Sequence, residues 1–322
     1  MDFLSYQFPA SGVETNVLLP PLVALIISFF TSMSGVSGAF LLLPFQMSFL
    51  GYTSPSVSGT NLVFNIVAIP SGVYQYIKEG RMAWPLTWIV LAGTLPGVFA
   101  GYFIRVHYFP DPRTFKLFAG LVLLYLGGRL LYGMTGRAGS AAAARVSALE
   151  ERFSQRQKEK RDVRRSVRGL PADARVKTVS ISLSRVTYEF WGETYSFSTP
   201  GMFLLSLAVG IAGGIYGIGG GAIIAPFCVA VFHLPVYTVA GAALAGTLLT
   251  SVAGVAFYSL IPSPEGIATA PDWRLGILFG VGGFIGIYLG ARFQKYIPQK
   301  PIKLMLTAII LFVAVGYIIQ FF

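Results

Sequence analysis

An eleven-residue pattern of glycines, apolar residues and a closing Pro-Phe occurs twice in this chain. Gly35-Val36-Ser37-Gly38-Ala39-Phe40-Leu41-Leu42-Leu43-Pro44-Phe45 aligns without a gap on Gly217-Ile218-Gly219-Gly220-Gly221-Ala222-Ile223-Ile224-Ala225-Pro226-Phe227, at an offset of 182 positions. The same offset carries Val57 and Gly59 onto Val239 and Gly241, and Leu62, Gly72, Val73 and Tyr76 onto Leu244, Gly254, Val255 and Tyr258. After a loop of different length, Trp84, Leu86, Gly93, Gly97 and Gly101 match Trp273, Leu275, Gly282, Gly286 and Gly290, and Lys116-Leu117 matches Lys303-Leu304. Identity of pattern over most of two halves means one unit built twice.

The unit is too apolar for water. The chain is 54% hydrophobic and 11% charged, where a soluble domain carries about 25% charged residues. Apolar segments fall at about 17–31, 37–50, 56–77, 85–104, 114–132, 201–216, 221–234, 238–261, 274–291 and 304–322. Several approach the ~20 residues that cross about 30 Å of hydrocarbon. Four are short and come as two pairs, 17–31 with 37–50 and 201–216 with 221–234, each pair split by the glycine-rich stretch. The expected fold is an all-α polytopic membrane protein of two homologous halves. Each half holds a broken or re-entrant helical hairpin plus three transmembrane helices. The first repeat covers 17–132 and the second 201–322. Between them, 133–200 is a linker outside the membrane, with a charged helix over 141–168 and a β-hairpin over 176–198 broken at Trp191-Gly192-Glu193.

Charge orients the halves. Residues 133–185 hold 13 Lys/Arg and 5 Asp/Glu, and a basic run beside a membrane span marks the cytoplasmic side and anionic headgroups rather than nucleic acid. Working outward from a cytoplasmic linker, the 78–83, 234–237 and 292–303 loops are inside. The 50–55, 105–113 and 262–272 loops are outside, as are both termini. Arg105 and Arg113 run against this assignment; Glu265 and Asp272, with no base in 262–272, support it. If each broken pair enters and leaves on one side, the halves are inverted repeats. If each crossed once, they would be parallel and the basic 292–303 loop would lie outside. The inverted arrangement fits the charges better. Before residue 17 there is no Lys or Arg, so the first apolar segment is read as retained rather than cleaved.

A broken helix in hydrocarbon is tolerated where protein or a water-filled cavity satisfies the exposed backbone. The second half-helix of each break presents unpaired N–H groups and a partial positive charge, an anion site that needs no lysine. Candidate ligands are Gly35, Ser37 and Gly38 in the first break and Gly217, Gly219, Gly220 and Gly221 in the second. Pro44 and Pro226 would each free one more carbonyl. The competing reading is tight helix packing, which explains Gly93, Gly97, Gly101 and Gly282, Gly286, Gly290 better, since these recur every four residues. Ser58, Asn61 and Asn65 share one helix face, with Thr247, Thr250 and Ser251 in the other half. They are donors to substrate oxygens or interhelical hydrogen bonds; Ser58, Asn61, Asn65 and Thr247 are kept as substrate candidates.

Absences narrow the chemistry. No Asp or Glu lies within a span, so no carboxylate proton relay or cation site is evident. One cysteine, Cys228, and two histidines, His107 and His233, form no metal cluster. No nucleophile-and-base constellation points to an enzyme. No cofactor is expected.

At the glycine-proline breaks the chain resembles the sulfite exporter TauE/SafE family of membrane transporters, over roughly 20–132 and 201–320. Gly217 to Pro226 is the stronger copy of the motif; the first has Ser37 and Ala39 where the second has glycines. The resemblance implies transport of sulfur-containing oxyanions or organosulfonates across a prokaryotic inner membrane. The expected function is therefore a secondary transporter of sulfite or an organosulfonate such as sulfoacetate, working by alternating access. A passive anion channel, or a transporter of another small oxyanion or carboxylate, is the alternative. The expected partners are the anion itself and anionic lipid headgroups near the linker, with a homodimer permitted.

Overall fold

A computed structural model describes residues 5–33, 37–134, 175–190, 192–221, 223–293 and 299–322. The first half begins with two short strands, β1 (Ser5–Gln7) and β2 (Glu14–Asn16). It continues through α1 (Leu19–Met33), α2 (Ala39–Ser48), α3 (Ser56–Ala68), α4 (Pro70–Lys78), α5 (Trp84–Tyr108) and α6 (Pro112–Met134). The linker contributes β3 (Lys177–Ile181), β4 (Arg185–Phe190) and β5 (Glu193–Ser198). The second half has α7 (Thr199–Tyr216), α8 (Ile224–Val231), α9 (Val236–Leu260), α10 (Trp273–Phe293) and α11 (Gln299–Ile319).

Apolar runs become helices because an α-helix satisfies its own backbone where water is absent. Among the described residues, six stretches are long and apolar enough to cross a membrane: Ser56–Lys78, Trp84–Tyr108, Pro112–Tyr132, Thr199–Tyr216, Val236–Leu260 and Trp273–Phe293. Large apolar side chains cover the outside, including Leu22, Trp88, Val281 and Phe312, the last 82% exposed. That surface suits lipid, and the chain is a multi-pass membrane protein. α7, expected as a short limb from residue 201, starts two residues earlier behind Ser198, whose Oγ accepts from the Gly201 N–H, and so reaches spanning length.

The two halves interlock. α1 packs on α10 of the other half, and α7 packs on α5 of the first. Glycine stripes permit both approaches. A Cβ on Gly93, Gly97 or Gly101 would come within 2.6, 2.5 or 2.5 Å of the Phe203, Leu207 or Ile211 carbonyl oxygen. Gly282, Gly286 and Gly290 stand in the same way against the carbonyls of Pro21, Leu25 and Phe29. Deeper in, Leu62 fills the space beside Gly254 while Leu244 fills that beside Gly72, and Tyr258 covers Gly59 while Tyr76 covers Gly241. These reciprocal contacts repeat the 182-position offset in three dimensions.

The loops sort to two ends. At one end lies the linker sheet, an antiparallel meander in the order β3-β4-β5. It docks through the Tyr188 hydroxyl on Thr238 Oγ1 at 2.9 Å, Phe197 on Phe232, and the Val176 N–H on the Gly80 carbonyl. The end of α4, the start of α7 and the α8–α9 turn therefore share this end. Burial pushes the Tyr188 hydroxyl well above its ordinary pKa. At the other end, the β1–β2 hairpin bonds Asp272 through the Ser11 N–H and hydroxyl, at 3.0 and 2.8 Å. Ser56 N–H reaches Ala268 O, the Tyr102 hydroxyl reaches Ile261 O, and Lys116 reaches Gln320. Tyr52, buried there, has its hydroxyl pushed up to about 12 by burial. The start of α1, the α2–α3 turn, the α5–α6 turn and the end of α11 share this second end.

Two expectations change and one element is added. The linker hairpin is a three-stranded sheet, because the chain also turns at Ser182–Ser184. The β1–β2 hairpin carries too few apolar residues to register as a strand signal. Arg105, read as a loop base, lies within α5 and is fully buried. The linker helix expected over 141–168 falls outside the described residues.

Candidate functional site

The second break is built by glycine. α7 ends at Tyr216, and Gly217 takes a left-handed conformation (φ 79°) in which its N–H and that of Ile218 both bond the Gly213 carbonyl. This is a helix C-cap that a side chain at Gly217 would strain. Gly219 also has a positive φ of 78°. The chain then folds back: the Gly220 N–H bonds Thr250 Oγ1 at 3.0 Å, and α8 begins as the Ile224 N–H bonds Gly221 O. There is no room for a side chain here: a Cβ at Gly217 would lie 2.5 Å from the Ser58 Cα, and one at Gly221 would press on the Ala243 carbonyl.

The first break runs from Met33 to Ala39. Gly35 lies outside the described residues. Ser37 donates to Asn65 Oδ1 at 2.8 Å and accepts from the Ala39 N–H, while Gly38 precedes α2 and its carbonyl takes the Leu41 and Leu42 N–H groups. Ser37 thus serves as a local cap where the other copy uses glycine.

Asn61 and Asn65 join the two breaks. The Asn61 amide donates to Ala39 O at 3.0 Å in the first and to Gly217 O at 2.9 Å in the second. Asn65 donates to Ile218 O at 2.9 Å and to Ser251 Oγ on α9 at 3.2 Å. All four amide hydrogens are engaged by protein. Pro44 completes the bridge: lacking an N–H, it leaves the Phe40 carbonyl without its helical donor, and the Tyr216 hydroxyl supplies one from the other break at 2.9 Å.

Thr247 lines the second break. Its hydroxyl bonds Ala243 O of its own helix, and its methyl would lie 3.0 Å from a Cβ on Gly219. Ser58 lies against Gly217 with its hydroxyl unpartnered. The structure thus gathers Ser37, Gly38, Ser58, Asn61, Asn65, Gly217, Gly219, Gly220, Gly221 and Thr247 around one pair of breaks. Sequence reading passed over Gln46, Tyr216 and Thr94. Gln46 is fully buried on α2, donates to Asn61 Oδ1, and leaves its own Oε1 unpartnered. An amide inside a ten-residue apolar helix was the available signal; Tyr216 gave none. Thr94 presses on Gly220 from α5.

Every side chain named here is neutral. Among the described residues no cluster of His, Cys, Asp or Glu could hold a metal ion. Cys228 is buried against Met202, away from the break. Such a site can engage a small polar or anionic solute through backbone N–H groups and hydroxyls; it contains nothing for acid–base or nucleophilic chemistry.

The chain is similar in sequence to known membrane transporters. The model of a family described as "Sulfite exporter TauE/SafE" matches residues 21–317. A curated relative, the "Probable membrane transporter protein YdhB" of Bacillus subtilis (strain 168), is 26% identical over 121 residues. That match covers 38% of this chain and 46% of the relative, about half its length. No solved structure matches the chain.

Proposed function

We propose, from the premise that the chain belongs to the sulfite exporter TauE/SafE family of membrane transporters, that it is a secondary transporter moving a small sulfur-containing anion across the inner membrane by alternating access. Sulfite and organosulfonates such as sulfoacetate are the substrate class. The observation that carries this reading is the meeting of two equivalent helix breaks, stapled by Asn61 and Asn65 and bare of acidic groups. Substrate oxygens would be met by the backbone at Ser37, Gly38 and Gly217–Gly221, with Ser58, Asn61, Asn65 and Thr247 exchanging protein partners for the anion as the site opens.

The inverted-repeat reading belongs to the same proposal. It is supported by the first broken pair having both limbs tied to the β1–β2 end and the second having both tied to the linker-sheet end. The basic linker assigns the sheet end to the cytoplasm, beside anionic headgroups, and leaves both termini periplasmic. A carrier is favoured over an open pore because the breaks are packed against Thr94, Ser58 and Thr247.

The test is uptake into proteoliposomes of sulfite, sulfoacetate, sulfate, phosphate and acetate. Saturable, slow uptake of one sulfur anion is expected, with Thr247→Val raising KM by roughly 3–10-fold. Folded protein that moves none of the sulfur anions would remove the substrate assignment. Single-channel currents would replace the carrier with a channel.

A further inference from the structure

We infer that a second, enclosed anion site lies at the β1–β2 end of the molecule, where Arg105, Tyr258 and Ser58 converge beside the second break. The inference rests on the reading of the chain as an anion carrier and adds the one cation that carrier otherwise lacks.

Arg105 occupies the last turn of α5 and is fully buried. One nitrogen, Nη1, donates to the Phe109 carbonyl at the helix end, and the guanidinium lies 3.7 Å from the Phe115 ring centroid. Its Nε and Nη2 have no partner. A guanidinium carries five N–H donors and does not give up its proton. Burying such a charge without a counter-charge is among the costliest things a fold can do, and one carbonyl and one ring return only part of it. No carboxylate bonds it among the described residues.

Two further orphaned groups lie with it. The Tyr258 hydroxyl and Ser58 Oγ are buried together, with no partner beyond each other. Tyr258 is within electrostatic reach of Arg105, and Tyr102 packs edge-on against its ring at 4.9 Å. Ser58 is the residue on which Gly217 rests. The unmet groups are therefore a charged fork and two hydroxyls, all able to donate, next to the break that the substrate reading already uses. An oxyanion is the partner they fit: Nε and Nη2 form the edge that binds two oxygens of a sulfite, sulfonate or carboxylate side by side.

The opposite end of the molecule provides an internal comparison. Tyr76 corresponds to Tyr258 in the repeat and covers Gly241 as Tyr258 covers Gly59. A buried arginine, Arg81, lies over Tyr76 at 4.5 Å, but Glu79 is ion-paired with it. One end supplies its own carboxylate. At the other, no carboxylate among the described residues bonds the arginine or the tyrosine, which leaves that place to an anion from solution. A helix cap alone would account for Nη1 and for none of the remaining donors.

The experiment is thermal unfolding of purified protein in lipid-free detergent and zwitterionic buffer, titrated with sulfite, sulfate, phosphate, acetate and chloride. At least one anion should stabilise the wild type. Arg105→Gln should weaken its apparent affinity by at least about tenfold and Tyr258→Phe by about threefold, while exposed Arg113→Gln leaves it unchanged. Without anion, Arg105→Gln should unfold no lower than wild type, since it removes an uncompensated charge; a purely structural cap would make it less stable. Unaltered affinity in Arg105→Gln, or in both Tyr258→Phe and Ser58→Ala should the arginine variant fail to fold, would overturn the site and leave the carrier reading standing. Binding of acetate or chloride alone, lost in Arg105→Gln, would uphold the site and remove the sulfur substrate class. No response to any of the five anions would overturn both.

Discussion

Asn61 and Asn65 illustrate how a polar residue in a membrane span is held. Asn61 joins the Ala39 and Gly217 carbonyls of the two halves, and Asn65 accepts from the Ser37 hydroxyl while donating to the Ile218 carbonyl, so removing either orphans a buried carbonyl. A buried, unsatisfied acceptor costs about 1–3 kcal/mol. Asn61→Ala should therefore lower unfolding stability by about 1–3 kcal/mol, read by thermal or denaturant unfolding in detergent. A variant as stable as wild type would mean that these bonds do not hold the breaks together. Their shared helix face was legible from their spacing. Their acceptors were not, because a spacing of three and four says which way side chains point and nothing about which chain segment waits there. Arg105 was misplaced for a related reason: charge counting treats a base near a span end as a loop residue, and α5 runs on past it.

Among elements, the glycine stripes decide which helices touch. Three residues at a four-residue spacing on each of α5 and α10 lack a side chain, and the facing carbonyls of α7 and α1 fill the gap. Gly97→Ala and Gly286→Ala occupy equivalent positions and should destabilise similarly, by about 1–3 kcal/mol each, since either Cβ must push a backbone carbonyl aside. Unfolding midpoints that fell for one variant alone would break the equivalence. The stripes could be read as packing surfaces from the sequence, and so they are. That each packs against the first helix of the opposite half could not be read, because a stripe of glycine fits any helix. The linker shows the opposite limit: alternation located strands, while the Ser182–Ser184 turn that divides them has no glycine or proline to announce it.

For the whole molecule, the two ends make a prediction about sidedness. Leu183, on the linker sheet, is 91% exposed, and Glu265 is exposed at the opposite end. In a Cys228→Ser background, Leu183→Cys should react with a membrane-impermeant maleimide only after the cytoplasmic face is opened, and Glu265→Cys in intact cells. Labelling of both from the same side would rule out the inverted arrangement. Duplication and the two breaks were legible because each leaves a repeated mark. The bridge of Tyr216 to the Phe40 carbonyl was not, being a single contact across the two halves.

The exchange of α1 and α7 between halves also sets an order of events during synthesis. α1 leaves the ribosome long before its partner α10. Until α10 follows, the face of α1 that bears Ser28 and Ser32 lacks the helix it packs against. α7 has no such wait, because α5 has already been made when it arrives. The nascent chain therefore holds α1 in reserve until α10 closes the molecule around it.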